Sequence, residues 1–208
     1  MILVDPATCR AEDLEPARLW LQSGHIVALP TDTFYGLAVD PTSEAAVRAL
    51  FDLKGRDPRT AMPLIAASLA QVQALLGALG ASSRRLADAF WPGPLSLILD
   101  APDRIAPAVH GGRRTVAIRV PAHPVARGLA AAFGGVVTAT SANRSGEPPA
   151  STVEGLGPVG VDPRVLVIDG GAAPGGAPST IVDARGAQPV LVREGAIAWI
   201  RVLDCLQR

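Results

Sequence analysis

Three short segments of this 208-residue chain carry the side chains that could do chemistry: residues 30–37, 53–56 and 141–143. Each segment contains the only residue of its type in the sequence, respectively Tyr35, Lys54 and Asn143. Of the 19 lysine and arginine residues, all but one are arginine. The single lysine therefore indicates a position that needs a compact ammonium rather than a planar guanidinium. A phosphate oxygen in a narrow site is such a position.

Other donors in the chain extend this set. One lysine, three arginines and four hydroxyl residues have donor groups that suit the oxygens of phosphate and carboxylate. These residues are Lys54, Arg56, Arg119, Arg193, Thr31, Thr33, Ser141 and Ser179. Such a set favours catalysis by positioning and charge stabilisation at a phosphoryl centre, which needs few covalent participants.

Several established catalytic motifs do not occur in the sequence. It has no G-x-x-x-x-G-K-[ST] phosphate loop, no G-x-S-x-G nucleophile elbow and no H-E-x-x-H zinc helix. His25, His110 and His123 lack the spacing of metal ligands. Cys9 and Cys205, near opposite ends of the chain, indicate neither a disulfide framework nor a cysteine metal site, and they fit a reducing compartment.

Two of these donor residues, Lys54 and Arg119, also have a second interpretation. Lys54 stands in the last turn of a predicted helix before Gly55, where a lysine commonly stabilises the helix dipole without any further function. Arg119 lies on one face of an otherwise apolar strand, so it either points outward or brings a charge into a pocket.

The composition limits the classes of protein to which this chain can belong. With 49% hydrophobic residues the chain can bury a sizeable core, and we interpret residues 1–208 as a single domain. Equal totals of 19 basic and 19 acidic residues argue against an extended nucleic-acid surface, which is usually strongly basic. Asp5 and Pro6 come too early for a signal peptide, and no apolar run reaches the roughly 18 residues of a membrane span. We expect a soluble, cytoplasmic protein.

Alternating apolar strands and amphipathic helices must position the donors. Strands are predicted at residues 2–4, 25–29, 64–67, 95–99, 115–120, 136–137, 165–168, 180–183 and 190–193. Helices are predicted at residues 11–23, 44–54, 123–132 and 196–206, with two more capped by Ser68 and Ser82 and a short one after Ser151. Residues 30–37 and 141–143 both follow apolar strands, which is where open α/β sheets place their ligands.

With these segments in this order, the chain resembles the YrdC-type threonylcarbamoyl-AMP synthase family. The motifs that carry the resemblance keep one order between about Leu14 and Ile197. They are PTDTFYGL at 30–37, KGR at 54–56, WPGPL at 91–95, VAIRVP at 116–121, SANRSG at 141–146, STIVD at 179–183 and LVR at 191–193.

The resemblance implies an α/β fold, with a twisted mixed parallel and antiparallel open sheet flanked by helices and a concave basic cleft. It implies a nucleotidyltransferase, L-threonylcarbamoyladenylate synthase, that condenses L-threonine, bicarbonate or CO2, and ATP to threonylcarbamoyl-AMP and diphosphate, with Mg²⁺ accompanying ATP. The product serves the N6-threonylcarbamoyladenosine modification at position 37 of tRNA. The short, single-domain form of the family hands it to separate tRNA threonylcarbamoyl-transferase proteins.

The same resemblance implies the site residues. The ATP-binding residues would be Lys54, Arg56, Thr115, Ser141, Asn143 and Arg193. The threonine-binding residues would be Thr33, Tyr35, Arg119, Ala139 and Ser179, with Arg119 pairing with the amino-acid carboxylate. Lys54 and Arg56 would be catalytic, because they would neutralise charge as the threonine carbamate attacks the α-phosphorus. We therefore expect Lys54 to react with an amine reagent in the free protein and to be protected by bound ATP.

A second class of function stays open. The chain could be a paralogue that acts as a double-stranded RNA-binding module or has another carbamoyl-adenylate activity. The neutral net charge makes RNA binding the weaker alternative. Salt separates the two, because binding to an RNA backbone should weaken steeply between low and moderate salt, whereas binding of one ATP should weaken less.

Overall fold

The computed structural model describes residues 1–57, 59–186 and 188–207. Its strands are β1 (Ile2–Leu3), β2 (Ile26–Leu29), β3 (Gly36–Ala38), β4 (Leu64–Ile65), β5 (Leu95–Asp100), β6 (Thr115–Arg119), β7 (Val137–Thr138), β8 (Thr140–Ser141), β9 (Val165–Asp169), β10 (Thr180–Asp183) and β11 (Val190–Arg193). Its α-helices are α1 (Glu15–Gln22), α2 (Glu44–Lys54), α3 (Leu69–Leu76), α4 (Ala81–Phe90), α5 (Pro107–His110), α6 (Pro124–Phe133) and α7 (Trp199–Gln207).

The strands form two sheets. A five-stranded sheet has the order β1-β9-β2-β3-β8, and a six-stranded sheet has the order β11-β10-β5-β6-β4-β7. Each sheet contains parallel pairs, such as β2 with β9 and β10 with β5, and antiparallel pairs, such as β2 with β3 and β5 with β6. This confirms the predicted mixed α/β fold, and it adds a division into two sheets that the sequence did not indicate.

The chain passes from one sheet to the other at Ala139, the residue between β7 and β8. The backbone N–H of Thr138 donates to the carbonyl of Val39, and the Thr138 hydroxyl accepts the Val39 N–H at 2.9 Å. The N–H of Ala139 donates to the carbonyl of Pro63. These bonds hold the ends of strands from both sheets together at one place.

Two apolar clusters support the sheets. The larger one packs side chains of α2 against the six-stranded sheet, and it includes Leu50, Leu97 and Ile118. The smaller one lies between α1, α6 and β2, and it includes Leu21 and Leu129. Burial of these side chains is the main stabilising contribution, at about 25 cal/mol per Å² of apolar surface. The site described below lies at strand ends that this core holds in place.

Some boundaries differ from the predictions. The first α-helix begins at Glu15 rather than at 11, after a 3-10 turn at Glu12–Leu14. Ser82 lies inside α4, because that helix begins at Ala81 with Gly80 as its N-cap. The last helix begins at Trp199 rather than at 196, because the N–H groups of Ala196 and Ile197 donate to Pro178 O and Thr180 Oγ1 and so dock this segment against the start of β10.

No helix within the described ranges combines the length and apolar character that crossing a membrane requires. The assignment of residues 1–208 to a single domain stays a prediction.

Candidate active site

A cavity of about 480 Å³ lies where the turn after β2, the end of β6, the β7–β8 junction and the β10–β11 pair meet. Most of the predicted site residues line it, namely Thr33, Tyr35, Arg56, Arg119, Ala139, Ser141, Ser179 and Arg193. The structure therefore brings together all the predicted threonine-binding residues and half of the predicted ATP-binding residues.

A second cavity, of about 270 Å³, adjoins the first. Arg56, Pro63, Ser179 and Arg193 line both cavities, so these residues mark where the two meet. The second cavity contains Thr115, and apolar side chains from β5, β6 and β10 form part of its wall: Ile98, Ala117 and Ile181. The predicted residue Thr115 therefore lines only the second cavity, and Arg56, Ser179 and Arg193 connect it to the residues of the first.

Lys54 is placed by its own helix. The Ser43 hydroxyl accepts the N–H of Ala46 at the start of α2, and Gly55 ends the helix in a left-handed conformation with φ of 57°, which favours glycine. The ammonium does not stay at the end of this helix. It donates to the carbonyl oxygens of Ser141 and Asn143, the latter at 2.6 Å, and so holds a segment that is almost 90 residues away in the sequence.

The side chain of Lys54 is buried, with 3% of the residue exposed. The expectation that it is exposed in the free protein is therefore wrong, because the ammonium faces two carbonyls instead of the cavity. Burial, and then the neighbouring cation Arg56, lowers the pKa of Lys54 to about 8. The interpretation as a simple helix-end lysine does not fit either, since its acceptors belong to a distant segment.

Asn143, the other predicted ATP-binding residue outside the cavity lining, belongs to the same arrangement. Its side-chain oxygen lies 3.4 Å from the Lys54 ammonium, and its amide donates to the carbonyl of Glu147. Lys54 and Asn143 together order the segment that carries Ser141 into the cavity.

Arg56 and Arg193 present cations where the cavities meet. Arg56 donates to Thr140 Oγ1 at 2.8 Å and to Ala61 O at 2.9 Å, and Arg193 donates to Ser179 O at 2.7 Å. Within the described ranges neither forms an ion pair with a carboxylate. Burial lowers the pKa of each guanidinium, and nearby Arg119 further lowers that of Arg193. Both remain charged at neutral pH, because the pKa of arginine starts far above it, so two cations without a described carboxylate partner lie where the cavities meet.

Arg119 enters the cavity from the end of β6, which confirms the pocket alternative over the outward one. It is already paired, because Nη1 donates to Asp32 Oδ1 at 2.7 Å. Burial lowers the pKa of Arg119, and the Asp32 carboxylate opposes that shift. The sequence reasoning missed Asp32, although its place in the turn after β2, between two threonines of the donor set, was an available signal.

Tyr35 belongs to the cavity lining, and its hydroxyl bonds to a residue that does not. The hydroxyl donates to the carbonyl of Gly171 at 2.7 Å, and the residue is completely buried. Burial, followed by the Asp169 charge, raises the pKa of Tyr35 to about 12, so the hydroxyl stays protonated. The contribution of Tyr35 that this structure shows is a hydrogen bond that anchors residue 171 next to the site.

Ser96 is a second cavity residue that the sequence reasoning missed. It is 1% exposed on β5, and its hydroxyl lies 3.0 Å from that of Ser179. The signal was a single hydroxyl inside the apolar run of residues 95–99, and pairing of Ser96 with Ile181 in the sheet brings it next to the start of β10.

The donor set does not resemble a protein metal site. Among the residues that the structure describes, no cluster of His, Cys, Asp and Glu side chains could hold a metal ion. The side chains lining the two cavities are arginines, hydroxyls and apolar groups. Such a site suits oxygen-rich anions.

A family model described as "Sua5_yciO_yrdC: Telomere recombination" matches residues 20–195. The chain is 40% identical over 164 residues to the threonylcarbamoyl-AMP synthase of Thiobacillus denitrificans, which covers 79% of this chain and 87% of that relative. It is 47% identical over 130 residues to the threonylcarbamoyl-AMP synthase of Alkalilimnicola ehrlichii, which covers 62% of this chain and 67% of that relative.

One solved structure is similar over almost the whole chain. The crystal structure of Pyrococcus abyssi Sua5 complexed with L-threonine superimposes with a TM-score of 0.90 and 31% identity, covering 99% of this chain and 60% of that one.

Proposed function

Because the chain belongs to the Sua5, YciO and YrdC family, we propose that it is a threonylcarbamoyl-AMP synthase. It would condense L-threonine, bicarbonate or CO2, and ATP to threonylcarbamoyl-AMP and diphosphate, with water as a further product when the carbon source is bicarbonate. The observation that carries the proposal is a pair of adjoining cavities with three cations: Arg56 and Arg193 line both cavities, and the buried guanidinium of Arg119 lines the larger one. These cations could bind two anions. A triphosphate and an amino-acid carboxylate are two such anions, and the relatives named above carry the name of this enzyme.

We assign threonine to the larger cavity. Arg119 would receive the carboxylate, since a guanidinium binds carboxylate oxygens with planar, directional hydrogen bonds. Four other lining residues surround the remaining volume, namely Thr33, Tyr35, Ala139 and Ser179. The similarity to Pyrococcus abyssi Sua5, which was crystallised as a complex with L-threonine, supports this assignment.

We assign ATP to the region where the cavities meet. Arg56 and Arg193 line both cavities and would contact the phosphates, with Ser141 on one side and Thr115 on the other. Mg²⁺ would enter as the complex with ATP, because the cavity linings contain no carboxylate to hold it beforehand. When bound, the ion would neutralise phosphate charge.

In the proposed reaction, a carbamate oxygen of the threonine carbamate forms a bond to the α-phosphorus, and the bond from that phosphorus to diphosphate breaks. Arg56 would stabilise the charge that accumulates on the phosphate oxygens, a contribution typically worth on the order of 10²–10³ in rate. Lys54 and Asn143 hold the 141–143 segment behind it. A catalytic contact between Lys54 and a phosphate stays a prediction, and it requires the ammonium to leave its two carbonyls.

Threonylcarbamoyl-AMP is a mixed anhydride that water can hydrolyse, so an acceptor must use it soon after release. We propose that separate tRNA threonylcarbamoyl-transferase proteins transfer the group to tRNA, in the cytoplasm, where tRNA and ATP are present. The RNA-binding alternative is not favoured, because the relatives are named as enzymes and the net charge of this chain is zero.

The test is diphosphate release by the pure protein with ATP, Mg²⁺ and bicarbonate, in parallel reactions with threonine, serine or no amino acid. Threonine-dependent release of diphosphate, with the adenylate detected by mass, supports the proposal. Serine should react more poorly by roughly 10–200-fold, the range for one methyl group in an apolar pocket. Equal release without an amino acid would contradict the proposal.

A further inference from the structure

The contact between Asp32 and Arg119 joins the two sheets across the site. Asp32 lies in the turn after β2 of the five-stranded sheet, and Arg119 ends β6 of the six-stranded sheet. The side chains are 10% and 8% exposed, and their closest atoms are 2.7 Å apart. It is the most buried of the ion pairs found among the described residues.

Both carboxylate oxygens of Asp32 have fixed partners. Oδ1 accepts from Arg119 Nη1, and Oδ2 accepts from the backbone N–H of Ala122 at 3.3 Å. Arg119 lines the cavity, whereas Asp32 does not belong to the lining and contacts the guanidinium. Asp32 is therefore placed to act on a ligand only through Arg119.

A second acceptor holds the other side of the guanidinium. Arg119 Nη2 donates to the hydroxyl oxygen of Thr31 at 3.3 Å, and that hydroxyl donates its own proton to the carbonyl of Phe34 at 2.8 Å. Thr31 can therefore only accept from Arg119. A guanidinium has five N–H groups, and the described contacts use two of them, which leaves donors for an incoming carboxylate.

We propose that Asp32 is the positioning residue of the amino-acid carboxylate site. It holds Arg119 in the one orientation that presents its remaining donors to the cavity, and it compensates a buried charge that would otherwise be costly before the substrate arrives. Because Asp32 already compensates its charge, Arg119 would recognise a carboxylate mainly by the geometry of its hydrogen bonds. The inference rests on the proposed function, since the carboxylate is that of threonine.

If Asp32 acts only through Arg119, its loss affects one substrate. Asp32→Asn keeps the volume of the side chain and removes its charge, so Arg119 loses its strong acceptor. The KM for threonine should rise about 10- to 100-fold, the scale of a lost hydrogen bond to a charged group. The KM for ATP should stay within about twofold, because Arg56 and Arg193 do not contact Asp32.

The deciding experiment is a double-mutant cycle on threonine binding, measured by calorimetry so that it does not depend on turnover. The variants are Asp32→Asn, Arg119→Gln and the double variant. Asp162→Asn is the control, because Asp162 pairs with Arg164 at 2.8 Å and lies outside the cavity lining. The expected result is that the double variant binds threonine no more weakly than Arg119→Gln alone, and that the control binds like the unchanged protein.

Asp32→Glu provides a second variant in case Asp32→Asn does not fold, since it restores the charge. It should bind threonine more tightly than Asp32→Asn does, and an equal or larger loss overturns the inference. Additive losses in the cycle, or an equal rise in the KM for ATP, also overturn it. If the unchanged protein binds no threonine, the proposed function fails and the inference fails with it, whereas normal threonine binding by Asp32→Asn overturns the inference alone.

Discussion

The ammonium of Lys54 donates a 2.6 Å hydrogen bond to the backbone carbonyl of Asn143, so the last residue of α2 holds the segment that carries Ser141 into the cavity. Two carbonyls and one amide oxygen surround this buried ammonium, and no described carboxylate pairs with it. An arrangement with a buried cation and only neutral acceptors makes the stability of the fold sensitive to the protonation of one amine.

The first prediction follows from the lowered pKa of Lys54. The value falls from 10.5 to about 8 in the folded protein, so between these pH values the unfolded chain binds more protons and stability rises with pH. The free energy of unfolding of the unchanged protein, relative to Lys54→Met, should therefore increase from pH 8 to pH 10.5, by on the order of 1–3 kcal/mol. Urea unfolding at a series of pH values measures this difference, and a flat difference would contradict the assigned cause.

The second prediction concerns the reactivity of Lys54. Because the side chain is buried, an amine reagent should label it much more slowly in the folded protein without ligand than in the urea-unfolded protein. Peptide mass spectrometry after a short exposure to reagent reports the rate at this single lysine. Equal labelling in both states would mean that the ammonium is free of its carbonyl partners in solution.

Third, substitution of Arg56 should separate the two substrates. Arg56→Gln removes a cation from the point where both cavities meet, so the KM for ATP should rise and kcat should fall by on the order of 10²–10³. Threonine binding measured by calorimetry should change little, because Arg119 remains. Arg48→Gln is a suitable control, since Arg48 lies in the same helix as Lys54 and pairs with Glu44 at the surface. Loss of threonine binding in Arg56→Gln would mean that Arg56 contributes to threonine binding, which contradicts its assignment to ATP.

A fourth prediction concerns the role of the Tyr35 hydroxyl. Tyr35→Phe leaves the Gly171 carbonyl without its 2.7 Å donor, which should lower the free energy of unfolding by about 1–3 kcal/mol. The KM for threonine should be unchanged, since the hydroxyl is bonded to Gly171, which does not line the cavity. Thermal unfolding and steady-state kinetics on the same preparation test both statements. A raised KM with normal stability would show that the hydroxyl reaches the substrate.

Local elements of this fold were readable from the sequence because each depends on neighbouring residues. The Ser43 cap, the buried face of α2 and the glycine that ends it lie within one short segment, and the structure has all three. The apolar runs that became β2, β5 and β9 were recognisable for the same reason. The ordered motifs indicated the family, and the predicted threonine-binding residues do line one cavity.

Contacts between distant segments depended on the tertiary structure. Asp32 and Arg119 are 87 residues apart, as are Lys54 and Ser141, and nothing in either local sequence specifies the partner. Those contacts follow from strand order, from the passage between sheets at Ala139 and from the register that brings strand ends together. Local propensity does not determine these relationships, because a buried charge accepts whichever compensating group the packed chain brings within hydrogen-bond distance. The sequence therefore determined which residues could bind anions. The packing of the two sheets decided which partner each of them has: Arg119 is paired with a carboxylate, Lys54 faces carbonyl oxygens, and Arg56 and Arg193 have no carboxylate partner among the described residues.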